Sequence, residues 1–473
     1  MKVVNPRTGQ ADYEIVPATR DDIAHKAKQL RSAQPAWHKL GPSGRAIVLH
    51  RWADAIEANG AALTEKLSID TGRVAIARIE VAGVVGAMRR WADRAPQIIG
   101  GLDLNDVASG TPGVRIDNRH VPFQLFGAIA PWNFPLLLAL VDAIPALAAG
   151  CAALIKPSEI TPRFIPELRK TVEIIPELAA VVSLVDGDAD TGRAVVDHVD
   201  YICFTGSVAT GRKVAEAAAR AFIPANLELG GKDPMIVLAS ADPVAAAGIA
   251  LRSSVVANGQ ACQSIERVYV NRAIATPFLD ALVAEAEAVR LNYPDITKGE
   301  IGPFIFGPQG DKVGDQLAEA IAMGARILTG GTVETLGGGR YLRPTVLVDV
   351  TPDMSVVRDE TFGPVIPVIV FDDVEDAIAQ ANDSIYGLSA AVIGDPAEAV
   401  AIGERLEAGA ISINDGSLTA GVWDAENCSF KLSGMGPSRM GDAGLTRFFR
   451  TQAIIRQTMP ALPIAAYAED AFS

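Results

Sequence analysis

Apolar positions recur at helical spacing through the first hundred residues and in short runs after that. Behind Thr19-Arg20-Asp21-Asp22, residues Ile23, Ala27 and Leu30 share one face, and a polar start with an acidic first turn predicts a capped helix running to Gln34. Ser43 to Asn59, Ala61 to Thr71 and Ile79 to Ala95 read as further helices, with Gly60 as punctuation. The pattern changes near Gly100. Val114 to Pro122 partly alternates, as an exposed strand does. Leu125 to Ala130 is a short apolar strand that runs into Pro131-Trp132-Asn133-Phe134-Pro135. A helix to about Ala149, a strand Ala152 to Lys156, a helix opening at Lys156-Pro157-Ser158-Glu159, strand Val181 to Val185, a helix from Asp190 and strand Tyr201 to Phe204 follow. The second half alternates again: strand Pro234 to Val237, helix Ala241 to Asn258, strand Arg267 to Val270, helices from Ile274 and Gln309, and strands and helices on to Asn414. The Gly330 to Gly339 stretch reads as a surface turn, since it lacks the Lys-Ser/Thr ending of a phosphate-binding loop. Strand, loop and helix repeated this often predict an α/β fold with parallel sheets covered by helices on both faces. Ligands then lie at the carboxyl ends of the strands, where Asn133, Lys156 and Ser207 fall.

The chain has 473 residues, enough for two or three domains. A hydrophobic share of 49% with 21% charged residues is that of an ordinary globular protein. The net charge of −14 argues against a nucleic-acid partner and gives no attraction to anionic membranes. Cys151, Cys203, Cys262 and Cys428 stand far apart with no paired spacing, which speaks against zinc and for a reducing compartment. The start carries no signal-peptide pattern, and the apolar run Pro135 to Ile155 is broken by Asp142, Pro145 and Gly150, so the cytoplasm is the expected location.

Chemistry concentrates between Glu228 and Cys262. The segment opens Glu228-Leu229-Gly230-Gly231-Lys232 and closes Gly259-Gln260-Ala261-Cys262. A cysteine attacks as its thiolate, and a carboxylate can take a proton from it or from water. Taken alone, a lone cysteine is more often a structural core residue. Thr205-Gly206-Ser207-Val208-Ala209-Thr210-Gly211 joins a strand to a helix, which suits a phosphate or an ordinary turn equally. The five histidines form no base-plus-orienter arrangement.

Taken in order, these segments resemble the aldehyde dehydrogenase superfamily: Pro131 to Pro135, Lys156 to Glu159, Phe204 to Ser207, Glu228 to Lys232, Gly259 to Cys262, Glu360-Thr361-Phe362-Gly363-Pro364, and Lys431-Leu432-Ser433-Gly434-Met435-Gly436. The resemblance implies a modified Rossmann cofactor domain (residues 1–110 and 124–230), an α/β catalytic domain (231–445) and a small β oligomerisation extension (111–123 and 446–473) that makes a homodimer or homotetramer. It implies Cys262 as nucleophile, Glu228 as the base that activates water, and Asn133 with the Cys262 amide as oxyanion donors. For the cofactor it implies Lys156 and Glu159 at the adenosine ribose, Ser207 at the pyrophosphate, Glu360 at the nicotinamide ribose, and Trp132 and Phe362 near the nicotinamide. Ser158, Gly206, Gly211 and Leu229 complete the expected cofactor site. Glu159 would repel a 2′-phosphate, so NAD is expected over NADP, with NADP still possible.

The pattern departs from the family near the end. Where a Pro-Phe-Gly-Gly run usually precedes the lysine matching Lys431, this chain has Glu426-Asn427-Cys428-Ser429-Phe430, and Pro437-Ser438-Arg439-Met440-Gly441 replaces another common run. Phe134, Leu137, Leu138 and Val141 are apolar, and no arginine is obviously placed for a substrate carboxylate. The expected substrate is therefore an apolar or aromatic aldehyde. Two rivals stand beside hydrolytic oxidation: a CoA-acylating semialdehyde dehydrogenase, and a non-catalytic protein on the same fold.

Overall fold

The computed structural model describes residues 1–469. Two sheets carry the two halves of the chain. The first has six strands in the order Gly434–Met435, Ala225–Glu228, Tyr201–Thr205, Leu125–Ile129, Ala152–Lys156 and Val182–Leu184, parallel except for the first. The second has seven, from Arg326–Thr329 through Thr345–Val348, Val365–Phe371, Ile265–Asn271, Asp233–Val237 and Ser389–Ile393 to Ala410–Ile413, parallel except at the first edge. Their strands are nearly continuous apolar runs because helices cover both faces.

The N-terminal helices form as their caps and faces dictate. Thr19 Oγ1 accepts the Asp22 amide and Asp22 answers at the Thr19 amide, closing a capping box on Arg20–Lys39. That helix continues past the expected stop at Gln34 and through Pro35. Buried Trp37, whose indole N–H donates to the Leu147 carbonyl at 3.0 Å, supplies tertiary packing that outweighs the proline. For the same reason the helix expected from Ile79 begins at Val74 and runs to Gly100.

Four further readings are corrected. Lys156 to Glu159 opens no helix; the next one is Ile165–Glu173, and the intervening turn is pinned by buried Asp70, which accepts the Arg163 amide at 2.8 Å. The helix leading to Ala149 is two, Pro135–Leu140 and Ala143–Ala149, split at a buried Asp142. The helix from Ala241 is Pro243–Val255 and stops short of Asn258. The glycine-rich stretch after Gly330 is a hairpin of Val333–Leu336 with Gly339–Leu342.

A third sheet stands apart. Val114–Pro122 pairs along its whole length with Phe449–Gln457, and Leu104–Ala108 adds a third strand that the sequence pattern did not disclose. Residues 470–473 of the expected extension lie outside the described residues. Among the described residues no helix is long and apolar enough to cross a membrane.

Candidate active site

The strand ends deliver the site residues. Lys156, Thr205 and Glu228 each close a parallel strand of the six-stranded sheet, and Asn133 follows the strand ending at Ile129. Ladder geometry therefore sets Glu228 beside Thr205, and the Gly206 amide donates to the Glu228 carbonyl at 3.0 Å.

Cys262 comes from the other half, on a loop held in an unusual backbone path. Ala257, Asn258 and Gly259 are successively left-handed, at φ 57°, 65° and 65°. Glycine is required at the last, since a Cβ there would lie 2.3 Å from the Gly363 carbonyl oxygen. Two buried amide side chains hold the strained path. Asn258 donates to the Pro303 carbonyl at 2.5 Å and accepts the Gly302 amide at 2.8 Å, and Gln260 accepts the Ile305 amide at 3.0 Å. Asn133, also buried, donates its amide to the Gln260 carbonyl at 3.0 Å, two residues before the cysteine. Gly231 packs so closely on the Cys262 carbonyl oxygen that a Cβ would stand 2.6 Å from it.

Several residues that the motifs did not single out build this arrangement. The buried Arg73 guanidinium donates to the Asn133 carbonyl at 2.5 Å and the Ala257 carbonyl at 2.8 Å, so one side chain ties the Asn133 loop to the turn before Cys262. Glu80 accepts the Leu136 and Leu137 amides at the start of the helix behind Asn133. Burial pushes its carboxyl up to about 7. Buried Lys232 donates to Glu266 at 2.7 Å, and Glu266 in turn accepts the Thr361 and Phe362 amides at 2.7 Å each. That pair holds Phe362 in a left-handed conformation, φ 56°, edge-on to Trp132 with ring centroids 5.4 Å apart. Buried ions whose partners lie far along the chain leave no local sequence pattern, which is why Arg73 and Glu80, at the start of and within the helix Val74–Gly100, and Glu266 on a strand were not legible.

The electrostatics around the nucleophile are negative. Burial first, then the charges of Asp233, Glu360 and Glu228, push the Cys262 thiol up to about 12, with Arg439 pulling the other way. The thiol is half-buried, whereas Cys151 and Cys203 are fully enclosed in the core and Cys428 is exposed; all four are free. Glu228 accepts a hydrogen bond from Ser429 Oγ at 3.0 Å. Arg439, from the departing C-terminal segment, is bound to Asp142 at 2.8 Å and Thr205 at 2.9 Å, and Arg447 shares the same aspartate.

Of the remaining expected residues, Lys156 and Ser207 stand at strand ends of the six-stranded sheet and suit a dinucleotide, while Glu360 comes from the loop before Val365–Phe371 of the other sheet. Lys156 donates to Glu159 at 3.0 Å, with Glu159 a third exposed. Ser158 instead closes its own turn by accepting the Ile160 amide. Ser207 caps the helix Val208–Ala221, whose free N-terminal amides and positive end suit a pyrophosphate. Gly211 lets that helix close on Leu229: a Cβ there would lie 2.4 Å from the leucine. Gly206 is similarly closed in by the Phe204 ring. Glu360 folds over Gly230 and accepts the Gly231 amide at 3.2 Å; burial and then Glu266 push its carboxyl up to about 7. The described residues contain no cluster of metal-ligating side chains.

Two α/β sheets, with free helix N-terminal amides at the strand ends of one of them, have the architecture of a dinucleotide-dependent oxidoreductase. The model of the aldehyde dehydrogenase family matches residues 1–454, and the chain belongs to that family. It is 34% identical over 94% of its length to a Mycolicibacterium smegmatis protein named as an NADP-dependent succinate-semialdehyde dehydrogenase, covering 87% of that protein. A solved structure named as the aldehyde dehydrogenase PutA of Anabaena variabilis superposes with a TM-score of 0.95, at 46% identity and 98% coverage of both chains. A Staphylococcus aureus betaine aldehyde dehydrogenase solved with NAD+ superposes at 0.90, with 29% identity over 98% of this chain and 95% of that one.

Proposed function

We propose that the chain oxidises an aldehyde to its carboxylic acid with NAD as the acceptor, by covalent catalysis at Cys262 and hydrolysis assisted by Glu228. The single observation that supports the reading is the Asn133 amide donating at 3.0 Å to the Gln260 carbonyl, two residues before Cys262, as an oxyanion donor close to the nucleophile would. When bound, the dinucleotide supplies the hydride acceptor. The protein's own residues do the rest. The Cys262 sulfur bonds to the carbonyl carbon, and the charge that develops on oxygen falls between the second N–H of Asn133 and the Cys262 amide. After oxidation, Glu228 takes the proton of the water that attacks the thioester.

Glu159 favours NAD, because a 2′-phosphate would meet its charge. The Mycolicibacterium relative named for NADP makes a direct comparison of kcat/KM with both cofactors the decisive measurement. Phe134, Leu137, Leu138 and Val141 are all half-buried at helical spacing and support an apolar or aromatic substrate. Arg439 is occupied by Asp142 and Thr205, which disfavours acidic semialdehydes. A general base at Glu228 favours water over CoA as acyl acceptor, and CoA consumption would overturn that. The exposed outer strand Phe449–Gln457, with Ile455 69% exposed, supports a homo-oligomer, and four unpaired cysteines support the cytoplasm. An aldehyde panel read by NADH absorbance tests the activity. Cys262→Ala that kept full activity would refute it.

A further inference from the structure

We infer that Ser429 is a positioning residue for Glu228, holding one carboxylate oxygen so that the other faces the water that hydrolyses the thioester. The inference rests on the reading above and concerns its second half-reaction alone. Ser429 Oγ donates to Glu228 Oε2 at 3.0 Å across 201 residues of sequence. Among the described residues no other hydrogen bond reaches that carboxylate, so Oε1 stays open.

The serine is held where it is by backbone, not by chance. Glu228 sits opposite Gly434 in the antiparallel pair that the C-terminal segment adds to the six-stranded sheet. A Cβ on Gly434 would come within 2.6 Å of the Ser429 Cβ, and one on Gly409 within 2.0 Å of the Cys428 carbonyl oxygen. Ser433 fixes the turn between Phe430 and Gly434, accepting the Gly387 amide at 2.9 Å and donating to the Gly230 carbonyl at 2.7 Å. A carboxylate on a flexible stem occupies several rotamers, and a charge-assisted hydrogen bond selects one of them. The hydroxyl lies in the segment where the glycine run common in the family is missing, so the resemblance does not supply it.

In the step concerned, the water oxygen bonds to the thioester carbon and its proton passes to Glu228 Oε1. The C–S bond breaks, Cys262 leaves as thiolate, and the proton on Glu228 returns to it as the carboxylic acid departs. Ser429 keeps its own proton throughout.

The test separates the two half-reactions. Full-length Ser429→Ala and Ser429→Gly proteins are mixed with NAD and an accepted aldehyde. First-turnover NADH is followed by absorbance, and the acyl adduct on Cys262 by rapid-quench intact mass. Loss of one hydrogen bond to a charged group predicts adduct decay slowed roughly ten-fold, with first-turnover NADH within about two-fold of the parent. Adduct decay at the parent rate in both variants, or NADH formation and decay slowed equally, overturns the role of Ser429. A parent enzyme that oxidises aldehyde without any adduct on Cys262 overturns the covalent mechanism instead.

Discussion

The two walls of the pocket are built differently. The nucleophile wall, residues 256–264 with Asn133 behind, is held by buried polar groups from across the chain: Arg73, Asn258 and Gln260 each bond main-chain atoms, and three successive left-handed residues are tolerated as a result. The C-terminal segment 422–430, which carries Ser429 to Glu228, is largely exposed: Val422 is 41% and Phe430 47% accessible. The contrast teaches that the reaction is fixed by an over-determined frame. In the proposed reading the substrate is chosen by the C-terminal segment, which is fastened at Ser429 and open to solvent at Val422 and Phe430. Pre-organised donors act in the transition state only if their supports do not move, whereas an apolar channel discriminates by only a few kcal/mol per group.

The comparison can be broken at several points. Cys262→Ala should remove turnover, to below about 10⁻⁴ of the parent rate, while the protein still binds NAD in a titration of intrinsic fluorescence. Asn133→Ala should lower kcat by roughly 10²–10³-fold with a smaller change in KM for aldehyde; equal loss in both would remove it from the oxyanion site. Arg73→Met should cost about 2–5 kcal/mol of stability, read as a fall in denaturant midpoint, and lower kcat with it, because two buried carbonyls lose their donor. Phe430→Ala, on the exposed wall, should leave the midpoint within about 0.5 kcal/mol and shift only the ranking of aldehydes. If Arg73→Met proved neutral, the contrast between the walls would fail.

A smaller effect concerns pH. Burial raises the folded carboxyl of Glu360 from its ordinary value to about 7. The neutral form is thus held in the folded protein through the window between those values, and the group's contribution to stability is lost as pH rises through 7. A ribose hydroxyl is best held by the ionised form, so KM for NAD should fall as pH rises from 6 to 8. Glu360→Gln should flatten that profile; an unchanged slope would remove Glu360 from the ribose.

Much of this was legible before any fold was known. The ordered motifs, through the family they resemble, singled out Ser207, Glu228 and Cys262, while glycine spacing alone left each of those turns open to an ordinary structural reading. The Thr19 capping box is equally local. The failures have a common cause. Pro35 and Pro96 do not stop their helices because buried faces outweigh local preference. Lys156 to Glu159 carries helix-start residues, yet the chain turns there to meet Asp70. Leu104–Ala108 has no alternating pattern because it lies exposed on a sheet edge.

The order of motifs along the chain was enough to determine the family, because the motifs depend on residue type and local turn chemistry, and the proposed nucleophile and cofactor half follow from that resemblance. Tertiary structure alone decided which buried ions hold the pocket, that Glu266 fixes Phe362, and that Ser429 reaches Glu228. Such contacts join residues tens to hundreds of positions apart, and a charge is tolerated in the interior only where folding has brought it a partner.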